Sequence, residues 1–320
     1  MAFRAAATVS DAPFLFRLAE RLHDGAERLP ADLRTKCRDL VLRLQRDDGG
    51  WGGREGDSDL YYTGFAIRSL AMLDALEGSA AERAAGFLKA NATAIGNIVD
   101  LLSWLYAALA IAAVGGPIVI EDPSEEWSAG VMQWLDGFRT EDNGFGKTVG
   151  ATAGSTYHTF LALLCMELVG RSATDAAGVT TFFAERQRED GGFVEIPQVK
   201  LSGVNPTAAA LVGWKLLGEV PTEAREASAE YLQSVVGDEG GFQANGRIPF
   251  SDGLSTFTGL LAAQELALGD ILNPAKAAAF LQELADPDGG FHGAAWDRVV
   301  DVEYTFYGLG ALALLASETR

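Results

Sequence analysis

The chain has 320 residues, a formal net charge of −19 and 48% hydrophobic residues. That length gives one large domain or two ordinary ones, with apolar material for a sizeable core. The acidity argues against nucleic acid or an anionic membrane surface as a partner, and otherwise suits a solvated surface.

The N-terminus, MAFRAAATVSDAPF, has no long apolar run before a cleavage site, so no secretory signal is expected. SDAPFLFRLAERL, Ser10 to Leu22, predicts an extra helix at about 10–25 with Ser10 or Asp11 as its cap. The amphipathic stretch LRTKCRDLVLRLQ follows, then DDGGW ending at Trp51, then the nearly all-apolar LYYTGFAIRSLAML. This order recurs. EDNGF ends at Phe145, EDGGF at Phe193, DEGGF at Phe242 and PDGGF at Phe291. The aromatics are separated by 94, 48, 49 and 49 residues, so the first gap holds two periods. A degenerate unit is therefore expected near residue 98, where KANATAIGNIVDLLSW has lost the glycines but still precedes an apolar helix. In that unit, Leu101 to Ile120 carries no charge, but Gly115, Gly116 and Pro117 break the helix after about four turns, too short to span a bilayer. Cys37 and Cys165 lie in apolar helical stretches and form no CxxC, so they read as buried thiols of a reducing compartment, and the protein is expected to be cytoplasmic.

Six units of about 48 residues result, each pairing an amphipathic helix with an apolar one. An all-apolar helix must be buried, and an amphipathic one lies at the surface. The expectation is an all-α fold over residues 1–320: a single (α/α)6 toroid, six inner helices inside six outer ones. The glycines accept positive φ where the chain reverses, and the aromatic after them plugs the gap between units.

The inner helices run in one direction, so their N-termini gather at one mouth and favour an anion there. The loops leading to that mouth carry Arg54, Lys147, Lys200, Arg247 and Arg298, a candidate anion ring. Glu55, Asp57, Glu195 and Asp297 share those loops, which leaves ordinary loop charge as the other reading. Thr63, Thr159, Thr207, Thr256 and Thr305 mark the first inner turns. Tyr61, Tyr62, Tyr157, His158, Glu303 and Tyr304 precede them and are expected to line the mouth. Trp104, Trp214, Phe257, Phe306 and Tyr307 lie deeper, where aromatic faces could hold an apolar ligand or a carbocation, or simply fill the core. Asp59, Asp252 and Asp301 fall at matching places and read either as caps of the inner helices or as acids. Glu303 lies two residues further in, where a partly buried carboxyl would have a raised pKa and could donate a proton.

Glycine-aromatic repeats of this length on alternating helices resemble the squalene-cyclase and protein-prenyltransferase superfamily. QRDDGGW and QREDGGF, starting at Gln45 and Gln187, match the cyclase repeat pattern Q-x3-G-x-W/F. The last two units are similar to protein prenyltransferase β-subunits, where an Asp, a Cys and a His bind zinc. Here those positions hold Asp252, Leu254 and Tyr304, and leucine has no donor atom. The arginine and lysine that hold diphosphate are also out of register, with Arg247 one residue off and Pro249 at the lysine position. STYHTF around His158 looks like the zinc-histidine segment, but the preceding unit supplies Asp100 and Leu102 with no thiolate. No metal and no cofactor are therefore expected. DVEYT, Asp301 to Thr305, resembles the D-x-D-D-T motif of class II terpene cyclases, with Glu303 at the proton-donor position and Tyr304 replacing the last Asp; DLYYT, from Asp59, keeps the first Asp.

The resemblance implies a toroid that binds an isoprenoid or another apolar small molecule, acting on it without zinc, with Glu303, Asp301, Asp59, Asp252 and Tyr304 as candidate catalytic residues. The second reading is a non-catalytic binding or scaffold protein with a helical protein partner. The third is a carbohydrate-active barrel, which two facing carboxylates would support.

Overall fold

The computed structural model describes residues 12–297 and 299–317. Thirteen α-helices form within them: α1 (Phe14–Ala26), α2 (Ala31–Arg43), α3 (Leu60–Met72), α4 (Gly78–Asn91), α5 (Ile98–Ala113), α6 (Glu125–Asp136), α7 (Thr156–Leu168), α8 (Ala176–Arg186), α9 (Val204–Leu217), α10 (Thr222–Ser234), α11 (Gly253–Glu265), α12 (Pro274–Glu283) and α13 (Val302–Ser317). The odd-numbered helices from α3 to α13 pack side by side in order, and α13 returns to α3. That is a closed inner ring of six, with α2, α4, α6, α8, α10 and α12 outside it. The all-α toroid read from the repeat is the observed fold.

The turn between outer and inner helix repeats the same bonds. Trp51, Phe145, Phe193, Phe242 and Phe291 are all 0% exposed, each filling the gap between the two layers. Full burial of such a side chain contributes roughly 1.5–3 kcal/mol. The threonines of the first inner turn have a defined role. The amides of Trp51, Phe145, Phe193 and Phe242 donate to the hydroxyls of Thr63, Thr159, Thr207 and Thr256 at 3.0, 2.8, 2.9 and 3.0 Å. Each threonine thus satisfies a buried N–H that the turn leaves without a ladder partner.

Neighbouring units are tied through the glycines and the repeat glutamine. Gln45 Nε2 donates to Gly49 O within its own turn and to Ala80 O of the next outer helix, both at 2.9 Å. Gln187 repeats this with Gly191 O at 3.1 Å and Ala224 O at 3.2 Å. At Gly289, φ is +109° and a Cβ would collide with the carbonyl oxygen of Lys36 on α2, so the last turn rests on the first outer helix. This contact closes the ring.

The degenerate second unit replaces its glycine turn by a short 3-10 segment, Ala92–Ala94, and Asn97 caps α5 by accepting from Asp100 N at 2.9 Å. α5 ends at Ala113, just before Gly115–Gly116–Pro117. Among the described residues no helix is long and apolar enough to cross a membrane.

The extra N-terminal helix is α1; Ser10 and Asp11, its expected caps, lie outside the described residues. α1 lies across the far end of the barrel, where the inner helices terminate, and bonds four of them. Phe14 N donates to Glu167 of α7 at 2.9 Å, and His23 Nδ1 donates to Met72 O of α3 at 3.1 Å. Arg21 pairs with Glu265 of α11 at 2.9 Å, and Arg28 donates to Ala316 O of α13 at 2.7 Å. Cations at the C-terminal ends of inner helices are favourably placed against the helix dipole. α1 thus floors the hollow.

Candidate functional site

The six inner N-termini surround one mouth. Asp59, Asp252 and Asp301 accept from the amides of Tyr62, Ser255 and Tyr304 at 2.7, 2.7 and 2.8 Å, so all three cap their helices. Asp252 also accepts from the Ser255 hydroxyl at 2.8 Å. Asn97 and Ser155 hold the same register on α5 and α7.

Glu303 faces a different partner. The Tyr61 hydroxyl, from the first turn of α3, donates to Glu303 Oε1 at 2.6 Å. Burial pushes the Glu303 carboxyl above the usual carboxylate range; the Tyr61 bond opposes this, and the negative charge of Asp301 adds to it. Burial likewise raises Asp301, opposed by its bond from Tyr304 N and by Arg54. The Arg54 guanidinium bonds Asp297, stands 3.6 Å from Asp301 and lies 5.4 Å from the Tyr304 ring centroid. Arg54 is therefore neutralised at the seam between first and last units. Lys147, Lys200 and Arg247 are exposed on their loops, and Arg298 lies outside the described residues.

Across the mouth, Ser155 Oγ contacts His158 Nδ1 at 2.8 Å and bonds Glu195. Burial, with a smaller contribution from Lys147, lowers the His158 imidazole to about 4, so it is neutral at ordinary pH. His158 stands near no second metal donor set: among the described residues no group of three or more His, Cys, Asp or Glu is gathered to hold a metal. Asp252, Leu254 and Tyr304 do not fit a zinc ion, since the central position carries no donor atom.

Below the mouth is a cavity of about 160 Å³. Its walls come from α3, α5, α7, α11 and α13, and its floor is Phe14, Leu15, Leu18, Ala19 and Leu22 of α1. Tyr61, Tyr157, Phe257, Phe306 and Tyr307 all line it. Their rings interlock through Phe65, which meets Phe306 at 5.5 Å and Tyr307 at 5.2 Å between centroids. Phe257 meets the same pair at 5.3 and 5.6 Å. Tyr157 lines the cavity at its mouth end, in the first turn of α7.

Tyr62, His158, Trp104 and Trp214 are not in the cavity wall. Trp104 turns outward, and its Nε1 donates to Leu88 O of α4 at 2.9 Å. Trp51 makes the matching bond to Val41 O of α2 at 2.7 Å, so Trp104 serves the second unit as the repeat aromatic serves the first. α9 contributes nothing to the wall, which leaves Trp214 as core. The sequence reading missed Phe65, Arg68, Tyr106 and Phe160 of the wall, and the floor supplied by α1. For Arg68 the signal was present: it is the one basic residue within the apolar run LYYTGFAIRSLAM.

The family model of the prenyltransferase alpha-alpha toroid domain matches residues 14–104 and 99–319. The chain belongs to the prenyltransferase α/α-toroid family. No curated protein sequence matches it. Among solved structures this family toroid is similar to Candida albicans protein geranylgeranyltransferase-I complexed with GGPP, at 16% identity and TM-score 0.69, over 89% of this chain and 92% of that one. It is also similar to the type II terpene cyclase MstE from Scytonema, in complex with merosterolic acid A, at 13% identity and TM-score 0.61, over 95% and 99% of the two chains. The α-1,6-mannanase GH76A of Salegentibacter shares the architecture at 12% identity and TM-score 0.60, over 92% and 99%. At such identities these likenesses speak for fold. Among the described residues no carboxylate lines the cavity of this prenyltransferase-family toroid, so they supply no facing pair of the kind the carbohydrate reading needs.

Proposed function

We propose that this toroid binds an isoprenoid, or a similarly branched apolar chain, in its central cavity and acts on it by acid catalysis without zinc. The observation that carries this reading is the Tyr61–Glu303 bond. Tyr61 belongs to the cavity wall, and its hydroxyl ties the half-buried Glu303 carboxyl to that wall at 2.6 Å. A carboxyl raised by burial keeps its proton nearer to neutral pH than a solvated one, as a general acid requires. Tyr61 holds Oε1, which leaves Oε2 as the oxygen that carries the proton in the mechanism proposed. Glu303 is not itself in the cavity wall, so in the step proposed a substrate double bond stands at the mouth end beside Tyr61, where the Oε2–H bond breaks and a C–H bond forms, leaving a carbocation. The faces of Phe65, Phe257, Phe306 and Tyr307 line the cavity below that charge and attract it through their ring quadrupoles. Loss of a proton from the adjacent carbon restores the double bond and recharges the acid. Asp301 and Asp59 hold the two helix starts that carry Glu303 and Tyr61, and Asp252 holds α11 with Phe257. Tyr304 and the loop cations Arg54, Lys147, Lys200 and Arg247 would face the exposed end of a ligand.

The test is incubation with prenyl alcohols and diphosphates of graded length, with products read by gas chromatography and mass spectrometry. Glu303→Gln is expected to lower turnover by about 10²–10⁴-fold, the usual worth of a positioned acid. Full turnover in that variant removes the acid role.

The size of the cavity favours a second reading. A hollow of about 160 Å³ is close to engineered cavities that hold a benzene-sized guest. A long chain must project through the mouth or displace α1, which suits a non-catalytic binding or scaffold protein with a protein partner. Native mass spectrometry separates the two: a co-purifying isoprenoid supports the first reading, and a protein partner without lipid supports the second.

A further inference from the structure

Arg68 lines the cavity from the third turn of α3. Its guanidinium carbon stands 4.9 Å from the Tyr106 ring centroid and 5.3 Å from that of Phe65. Among the described residues it has no hydrogen-bond acceptor and no carboxylate in ion-pair range. Arg54 and Arg186, by contrast, each pair with an aspartate. Among the described residues no other charged side chain lines the hollow. Burial raises the phenols of Tyr106, Tyr157 and Tyr307, and the charge of Arg68 opposes that rise in all three. Aromatic faces compensate part of the charge of this half-buried side chain, but among the described residues they leave the N–H edge of the guanidinium without a protein acceptor.

We propose that Arg68 is the headgroup site for a singly charged carboxylate, held at the bottom of the cavity by the guanidinium fork, with an apolar tail directed at the mouth. This rests on the reading of the hollow as the ligand site, and it adds the ligand's charge and orientation. The charge follows from electrostatics. One guanidinium neutralises one negative charge and offers a carboxylate two parallel N–H donors. A diphosphate at the same depth would leave further charge uncompensated among apolar walls, which is costly. The orientation follows from the helix. Tyr61 lies seven residues toward the N-terminus on the same helix, about 10 Å higher at 1.5 Å per residue. A carboxylate on Arg68 therefore presents the far end of a short branched tail to Tyr61 and Glu303.

The experiment is isothermal titration calorimetry of the full chain with three ligands sharing one ten-carbon isoprenoid skeleton: citronellate, methyl citronellate and citronellol. The carboxylate is expected to bind the parent protein at least tenfold tighter than the ester or the alcohol. Arg68→Met is expected to erase that preference, so that the three ligands bind the variant within about twofold of one another. Circular dichroism checks that the variant is folded, and the carboxylate-to-ester comparison on the parent needs no variant. Equal binding of all three by the parent, or a carboxylate preference that survives Arg68→Met, overturns the role of Arg68 while leaving the cavity reading in place. No binding of any of the three overturns both.

Discussion

Tyr61 and Glu303 are 242 residues apart in sequence and joined by a 2.6 Å hydrogen bond. One stands in the first turn of the first inner helix and the other in the first turn of the last. The bond therefore crosses the seam of the ring, and the site exists only when the ring is closed.

The Glu303 carboxyl makes stability depend on pH with a definite sign. Burial raises its native pKa, so the folded protein holds that proton more tightly than the unfolded chain. Its contribution is fully present in acid and is lost as pH rises through the raised native value. Glu303→Gln should melt above the parent near pH 8, by on the order of 1–2 °C for each kcal/mol relieved in a chain of this length. The gap should close below about pH 4, where the unfolded glutamate is also protonated. Differential scanning calorimetry across that range reads the effect.

His158 has the opposite sign. Its native pKa is lowered to about 4 by burial, so the unfolded chain takes up the proton first as pH falls. The stability it contributes is present above about pH 6.5 and is lost toward pH 4, amounting to roughly 3 kcal/mol. An NMR titration should find the His158 ring neutral at pH 5.5, and His158→Gln should weaken the acid sensitivity of the melting temperature.

The hydroxyl of Thr207 accepts the Phe193 amide at 2.9 Å and donates to Gly203 O at 2.7 Å. Thr207→Val keeps the shape and leaves a buried N–H unpaired. A loss of about 1–3 kcal/mol in urea unfolding is expected, with an unchanged slope.

Closure rests on Gly289. Alanine there meets both a φ of +109° and the Lys36 carbonyl. Gly289→Ala should cost about 3 kcal/mol or more, and it should weaken any ligand binding that depends on the seam. Gly86 on α4 has nothing within 4 Å of a Cβ and gives the control substitution.

Cys37 and Cys165 are buried and free, and burial pushes the Cys37 thiol up to about 11 and raises Cys165 further. Neither should react with a thiol reagent in the native protein, and both should react after denaturation.

The ring was legible because its signal is repeated. The glycine turn, the aromatic after it and the threonine of the next helix each recur at fixed spacing, and each has one geometric job. The site was less legible, for a reason built into the inner helices. They are buried on every side, so apolar periodicity does not say whether Trp104 points at the axis or at α4; its bond to Leu88 O shows the latter. Where α1 docks was equally hidden, since its apolar stripe fits any apolar surface. Arg68 stood out in sequence as a cation in an apolar helix, yet only the rings of Phe65 and Tyr106 show where it stands. Glu303 was readable from the motif it resembles, whereas Tyr61 as its partner depends on contact across the seam.

The central claim is that the hollow below Tyr61 and Glu303 receives a branched apolar guest. Native mass spectrometry of the gently purified chain, before and after adding a series of prenyl alcohols, tests it most directly. The account predicts a saturable mass increase of one guest per chain, abolished when Leu161 in the cavity wall is replaced by tryptophan in a variant that remains folded. A chain that stays bare across the whole series would contradict it.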